Sequence, residues 1–80
     1  MRQPIRKLKV PDSVAELMSN MHPHLKKKIR ASLQSIIGDP YVGKALKDEL
    51  AGLRSFRVSR FRIIYRIPDL KLTEIVAIGP

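Results

Sequence analysis

The chain has 80 residues, enough for one small domain with a limited hydrophobic core. It has no cysteine, which excludes disulfides and thiolate metal sites. Its 16 Lys and Arg against 7 Asp and Glu give a net charge of +9. This excess favours nucleic acid as the partner, followed by an acidic protein and an anionic membrane, and the remaining alternative is a basic surface without a specific partner. No membrane-length apolar run or signal peptide is visible, so we expect a cytoplasmic protein.

The first half of the chain predicts one strand and two helices. Residues alternate over Ile5–Val10, which predicts a short strand with Lys7 and Lys9 on one face. Apolar residues at helical spacing predict a first helix from about Asp12 to Asn20 and a second over Pro23–Ile37. We expect the two helices to pack as an antiparallel hairpin.

Basic residues lie on the outer side of the second helix, where they form a solvated face or follow a phosphate backbone: Lys26, Lys27, Lys28 and Arg30. His22 and His24 flank the proline that opens this helix. Because a third histidine and cysteine are lacking and Glu16 is the nearby acid, we expect turn residues and no metal site.

Tyr41–Leu53 is predicted to be a connecting segment with mixed signals. The spacing of Leu46 and Leu50 allows one helical turn. Asp48 and Glu49 form a local acidic spot, either as general bases or as ordinary surface residues.

The stretch Arg54–Ile67 alternates apolar and polar residues and predicts a β-hairpin. Folding back at Ser59-Arg60 places Arg57 opposite Arg62. The same pairing gathers apolar side chains on the other face: Phe56, Val58, Phe61 and Ile63. The turn lacks the Gly or Asn that a two-residue loop prefers, so either Ser59 is strained or the loop is longer. Like charges directly opposite destabilise a sheet, whereas a phosphate-binding surface uses them.

Leu72–Ile78 is predicted to be an inner strand, because it is apolar at most positions. The predicted fold is therefore α+β with the order β-α-α-β-β-β. Two helices cover one face of an antiparallel sheet, and the other face stays open. That face carries Arg57, Arg62 and Arg66.

The run Asp39–Ile67 resembles the RelE/ParE superfamily of toxins from toxin–antitoxin modules. The resemblance rests on Pro40, Gly43-Lys44, Leu46, Leu50, Gly52-Leu53, Arg57-Val58, Arg62-Ile-Ile-Tyr65 and the closing Val76-Ala-Ile-Gly79. The order of elements agrees with this family over the whole chain. Residues 1–80 are then expected to form one toxin domain.

A RelE-type resemblance implies a ribosome-dependent mRNA endonuclease without a metal or other cofactor. The ribose 2′-hydroxyl attacks the adjacent phosphate and leaves a cyclic phosphate. Arg57 and Arg62 match the family's basic catalytic positions. Further contacts to RNA or the ribosome are expected from Arg54, Arg60, Arg66, Lys26, Lys27, Lys28 and Arg30. A ParE-type resemblance implies instead a DNA gyrase inhibitor, and either type implies a cognate antitoxin.

Some family features are not found in the sequence. Ser55 stands where some nucleases carry a lysine, and a basic residue and a Tyr or His usually follow the Gly of the last strand. We therefore expect the domain to lack the usual C-terminal tail. Tyr65 is no substitute, because alternation places it on the core face, and Glu49 and Glu74 are the remaining candidate bases. A catalytically weakened basic binding module is the third alternative.

Overall fold

A computed structural model describes residues 7–80. Its helices and strands are β1 (Lys7–Lys9), α1 (Asp12–Ser19), α2 (Pro23–Gly38), β2 (Lys44–Ala45), β3 (Leu53–Val58), β4 (Phe61–Asp69) and β5 (Leu72–Gly79). Short 3₁₀ turns lie at Pro40–Val42 and Asp48–Leu50. The predicted elements are confirmed within about two residues, except that the part of the first strand at Ile5 and Arg6 lies outside the described residues.

The described residues form a five-stranded sheet in the order β1-β5-β4-β3-β2. Strands β3, β4 and β5 form the predicted antiparallel meander. Strand β1 pairs parallel to β5 at one edge, so the sheet is mixed rather than wholly antiparallel. Strand β2, at the other edge, has two residues, too few for a period of two to be visible in the sequence. The α+β architecture with one open face is confirmed.

Local sequence explains where the second helix begins. Pro23 occupies the first turn, where its missing N–H costs nothing. His22 caps the helix, because its Nδ1 accepts a hydrogen bond from the backbone N–H of His24 at 3.2 Å. The two imidazoles stack with ring centroids 5.2 Å apart. The histidine pair thus has a structural role at the helix start.

The hydrophobic core lies between the helices and one face of the sheet. Its buried members are Val14, Ile29, Leu33, Ile36, Val58, Ile63, Tyr65, Ile75 and Ile78. Phe56 and Phe61 are half-buried and pack against this core, as the hairpin pattern predicts. The opposite face of the sheet, which we call the open face, carries the alternate residues of the same strands.

The central hairpin has the predicted register. Arg57 pairs with Arg62, and Val58 pairs with Phe61. Of the two turn residues, Ser59 alone has a positive φ, at +56°. This fits a type II′ turn, where glycine is preferred at that position. The two-residue loop therefore forms at the cost of a strained Ser59.

Candidate nucleic-acid interface

Two exposed arginines lie directly opposite each other on the open face. Arg57 of β3 and Arg62 of β4 are Cα partners in the ladder, and both are exposed. The Nε of Arg57 donates to the carbonyl of Ser59 at 3.3 Å, which leaves its terminal nitrogens available. Paired guanidinium groups repel each other, so this arrangement suits an anion that bridges them.

The arginine pair lines a cleft of about 240 Å³. Its other lining residues are Lys44, Leu46 and Ser55. Lys44 belongs to β2, and Ser55 lies between β2 and β4 in the sheet. Sequence reasoning did not predict Lys44 as a site residue, because its strand is too short to show which face it occupies. The family-like Gly43-Lys44 pair was the available signal.

Arg66 lies further along the open face and is bound to Glu74. Its Nε donates to the Glu74 carboxylate, and Lys9 Nζ lies 3.5 Å from the second carboxylate oxygen. The hydrogen bond from Arg66 lowers the pKa of Glu74, helped by the charges of Arg66 and Lys9 and opposed by partial desolvation. Glu74 is thus held as a carboxylate between two cations, which makes it a weak general base.

Arg54 is placed differently from the arginines of the open face. It is half-buried, and its Nη2 donates to the carbonyls of Tyr41 at 3.0 Å and of Gly43 at 2.6 Å. Its guanidinium carbon lies 5.3 Å from the centroid of the Tyr41 ring. These contacts attach the segment before β2 to the sheet, and an RNA contact by Arg54 stays a prediction.

The remaining predicted cations are spread over two surfaces. Arg60 is exposed in the hairpin turn between β3 and β4. The second helix packs on the opposite side of the sheet and carries the cluster Lys26, Lys27, Lys28 and Arg30. Lys26 is half-buried, and its Nζ donates to the carbonyl of Ser19 at 3.4 Å. The helix cluster therefore cannot join the arginine pair around one phosphate.

Tyr65 is fully buried, as alternation predicts. Its hydroxyl donates to the carbonyl of Pro40 at 2.7 Å and accepts from the N–H of Gly43 at 3.0 Å. Glu49, the other candidate base, is exposed in the second 3₁₀ turn. Tyr65 therefore anchors the segment that leads into β2 and does not reach the cleft.

Within residues 7–80, no three His, Cys, Asp or Glu side chains come together in a group that could bind a metal ion. No helix of this part of the chain has the length and apolar character needed to cross a membrane.

The fold is shared with solved toxin structures. The RelBE2 toxin–antitoxin complex of Mycobacterium tuberculosis matches with a TM-score of 0.81 at 24% identity, over 96% of this chain and 98% of that chain. The YoeB/ParE toxin from Agrobacterium tumefaciens matches with a TM-score of 0.73 at 22% identity, over 90% and 94%. The intact E. coli RelBE complex matches with a TM-score of 0.75 at 11% identity, over 90% and 92%. At these identities the likeness establishes the fold.

A search of curated proteins finds no match. The sequence does match a family model. The model described as "ParE toxin of type II toxin-antitoxin system, parDE" matches residues 9–80, nearly the whole chain. The protein therefore belongs to the ParE toxin family of type II toxin–antitoxin systems, within the RelE/ParE superfamily that its sequence resembles.

Proposed function

We propose that this toxin is a ribosome-dependent mRNA endonuclease, with Arg57 and Arg62 as the residues that contact the scissile phosphate. One observation carries the proposal: the two exposed arginines lie directly opposite each other and line the same cleft on the open face. A chain selected for stability alone avoids such a pair, and a phosphate between the two guanidinium groups removes their repulsion.

The proposed reaction is an internal transesterification of RNA. The ribose 2′-oxygen forms a bond to the adjacent phosphorus, and the bond from phosphorus to the 5′-oxygen of the next nucleotide breaks. The 2′-hydroxyl gives its proton to water and the leaving 5′-oxygen takes a proton from water, so the products are a 2′,3′-cyclic phosphate and a 5′-hydroxyl end. Negative charge grows on the non-bridging oxygens, and Arg57 and Arg62 stabilise it through bidentate hydrogen bonds. We assign no proton transfer to Glu74, because its ion pairs with Arg66 and Lys9 lower its pKa and because it does not line the cleft.

The other predicted cations lie on different sides of the sheet, and we assign different contacts to the two groups. Arg66, on the open face, and Arg60, in the hairpin turn, would contact the mRNA backbone beyond the arginine pair. The lysine-rich side of α2 faces away from the cleft and would dock on ribosomal RNA, since its positive charges match the phosphates of a nucleic-acid backbone. Arg54 contributes least in this scheme, because two carbonyls already accept its hydrogen bonds.

We also propose a cognate antitoxin as the protein partner, acting in the cytoplasm. Solved structures with this fold include toxin–antitoxin complexes from Mycobacterium tuberculosis and E. coli. An acidic antitoxin segment across the open face would neutralise the arginine pair and exclude RNA. Co-expression with the neighbouring gene product and co-purification tests this partner. A neighbouring product that does not bind contradicts it.

A reconstituted translation reaction tests the nuclease. Purified ribosomes stalled on a defined mRNA are mixed with toxin, and primer extension maps the cuts. Arg62→Ala is expected to slow cleavage roughly 100-fold, as for loss of one oxyanion donor. Lys47→Ala, at an exposed lysine that does not line the cleft, removes the same charge and should change the rate much less. If the double variant Arg57→Ala/Arg62→Ala still cleaves at the wild-type rate, the site assignment is wrong.

The family match supports DNA gyrase inhibition as the second candidate, since the matching model is that of ParE toxins. A supercoiling assay with purified gyrase and relaxed plasmid separates the two activities. Loss of supercoiling with intact mRNA on ribosomes would favour the gyrase target. A protein that binds RNA but shows neither activity would be the third alternative, a catalytically weakened binding module.

A further inference from the structure

We infer that Lys44 and Ser55 complete the phosphate site of the open face, with Lys44 as a third cation for RNA. This inference rests on the proposed function and extends it to residues of a different strand. The site is the cleft lined by Lys44, Ser55, Arg57 and Arg62, together with Leu46.

The ladder places Lys44 on the same face as the arginine pair. Lys44 and Ser55 are Cα partners between β2 and β3, and Ser55 lies two residues before Arg57. Gly43 lies on the opposite side, where a Cβ would come within 2.4 Å of the Tyr65 hydroxyl in the core. Since side chains alternate along a strand, Lys44 must point to the open face.

Both backbone polar groups of Gly43, the residue before Lys44, form hydrogen bonds. The N–H of Gly43 donates to the buried Tyr65 hydroxyl at 3.0 Å, and its carbonyl accepts from Arg54 at 2.6 Å. On the far side, the N–H of Leu46 donates to the carbonyl of Leu53 at 3.0 Å. These three hydrogen bonds hold the backbone on both sides of the two-residue strand β2. The lysine is presented from a rigid position, which lowers the entropy cost of binding.

The chemistry of the cleft suits one phosphodiester with its ribose. Three cations line it, Ser55 supplies a hydroxyl donor, and no carboxylate is among its lining residues. Leu46 is half-buried and forms an apolar wall. The small Ser55 side chain leaves space between Lys44 and the arginines. One anion can therefore contact Lys44 on β2 together with the arginine pair on β3 and β4. Lys44 adds a point charge beside the directional guanidinium forks.

The contrast with Lys47 provides a matched control. Lys47 follows three residues later and is also exposed, but it precedes the second 3₁₀ turn and does not line the cleft. Lys44→Ala and Lys47→Ala therefore make the same change in net charge at neighbouring positions. A response that depends on the cleft must distinguish between them.

The test measures binding of the full chain to a short fluorescein-labelled single-stranded RNA by anisotropy over a range of salt concentrations. Lys44→Ala should weaken binding roughly two- to fivefold at low salt. It should also make the slope of log K against log salt shallower by about 0.7, the value for one phosphate contact on a single strand. Lys44→Arg should restore the slope. Ser55→Ala should weaken binding without changing the slope, and Lys47→Ala should leave the slope unchanged.

Equal slope changes for Lys44→Ala and Lys47→Ala would overturn the inference, because bulk charge would then explain both. An unchanged slope for Lys44→Ala would also overturn it. The outcome is distinguishable from failure of the proposed function. If Lys44→Ala makes the slope shallower but the wild-type toxin cuts no mRNA on ribosomes, the phosphate site stands and the nuclease proposal fails.

Discussion

The Tyr65 hydroxyl is expected to be a major source of stability, because it joins the core to the segment that carries β2. It makes two hydrogen bonds, to the carbonyl of Pro40 at 2.7 Å and from the N–H of Gly43 at 3.0 Å. All three residues are buried. Tyr65→Phe removes the hydroxyl and leaves the ring in place. The buried N–H of Gly43 and the buried carbonyl of Pro40 then have lost this hydrogen-bond partner.

The structure gives the size of the effect. Each buried group that loses its hydrogen-bond partner costs about 1–3 kcal/mol. Tyr65→Phe leaves two such groups, and we expect it to reduce the free energy of unfolding by about 3 kcal/mol, in the lower half of their sum. For a domain of this size the melting temperature should fall by roughly 10–20 °C.

Gly43→Ala probes the same contact from the other side. The backbone of Gly43, with φ −77° and ψ 162°, is open to alanine, so the cost is steric. The new Cβ would lie 2.4 Å from the Tyr65 hydroxyl and 2.9 Å from the Ser55 carbonyl. We expect a loss of about 2–3 kcal/mol. In Tyr65→Phe the closest clash is absent, so the added cost of Gly43→Ala should fall to about 1 kcal/mol.

Urea denaturation followed by circular dichroism measures this double-mutant cycle. The predicted coupling between the two changes is about 1–2 kcal/mol. Gly38→Ala is the control, since a Cβ there meets nothing within 4 Å, and it should not destabilise the protein. If the two changes at Tyr65 and Gly43 add to within about 0.5 kcal/mol, the contact between them does not govern stability and the reasoning is refuted.

Two further predictions concern the turn and the ion pairs. Ser59→Gly should raise the free energy of unfolding by about 0.5–1 kcal/mol in urea denaturation, because glycine accepts the φ of +56° without strain. Arg60→Gly, at the turn residue without a positive φ, should be neutral or destabilising, and equal gains from both would contradict a strained Ser59. The lowered pKa of Glu74 means that its ion pairs with Arg66 and Lys9 contribute fully above pH 4.5, the ordinary value. That contribution is lost as pH falls through the lower pKa of the folded state. Glu74→Gln should flatten this part of the curve of urea midpoint against pH, whereas two parallel curves would show that Glu74 is not its source.

The alternation of apolar residues favoured the observed pairing of the central hairpin, although the turn residues left its register open by one residue. A shift of one residue would move Val58 and Ile63 out of the core and Arg57 into it, so burial alone fixes the register. The turn residues disfavour this register, since it requires a positive φ at Ser59, where glycine is preferred. Core packing outweighs a turn strain of about 1 kcal/mol, and the preferred register forms despite it.

The parts that the sequence did not predict depend on single contacts between distant segments. Strand β2 has no periodicity of its own, and its position follows from the hydrogen bonds of Tyr65 and Arg54 to Gly43. Pattern reasoning placed Tyr65 in the core but could not show what its hydroxyl binds. It also could not place Lys44 beside the arginine pair, because that contact crosses from an unpredicted strand.

The two faces of the sheet therefore have separate physical roles. On the helix side, buried aliphatic residues and Tyr65 supply stability, and most of their contacts are fixed by hydrophobic pattern. On the open face, Arg57 and Arg62 are exposed and repel each other, so they contribute little to stability or reduce it. A small domain can carry this cost because the repulsion is screened by water and disappears when an anion binds. Under the proposed function, an acidic partner and RNA phosphate would compete for the arginine pair, because each supplies a negative charge that removes its repulsion.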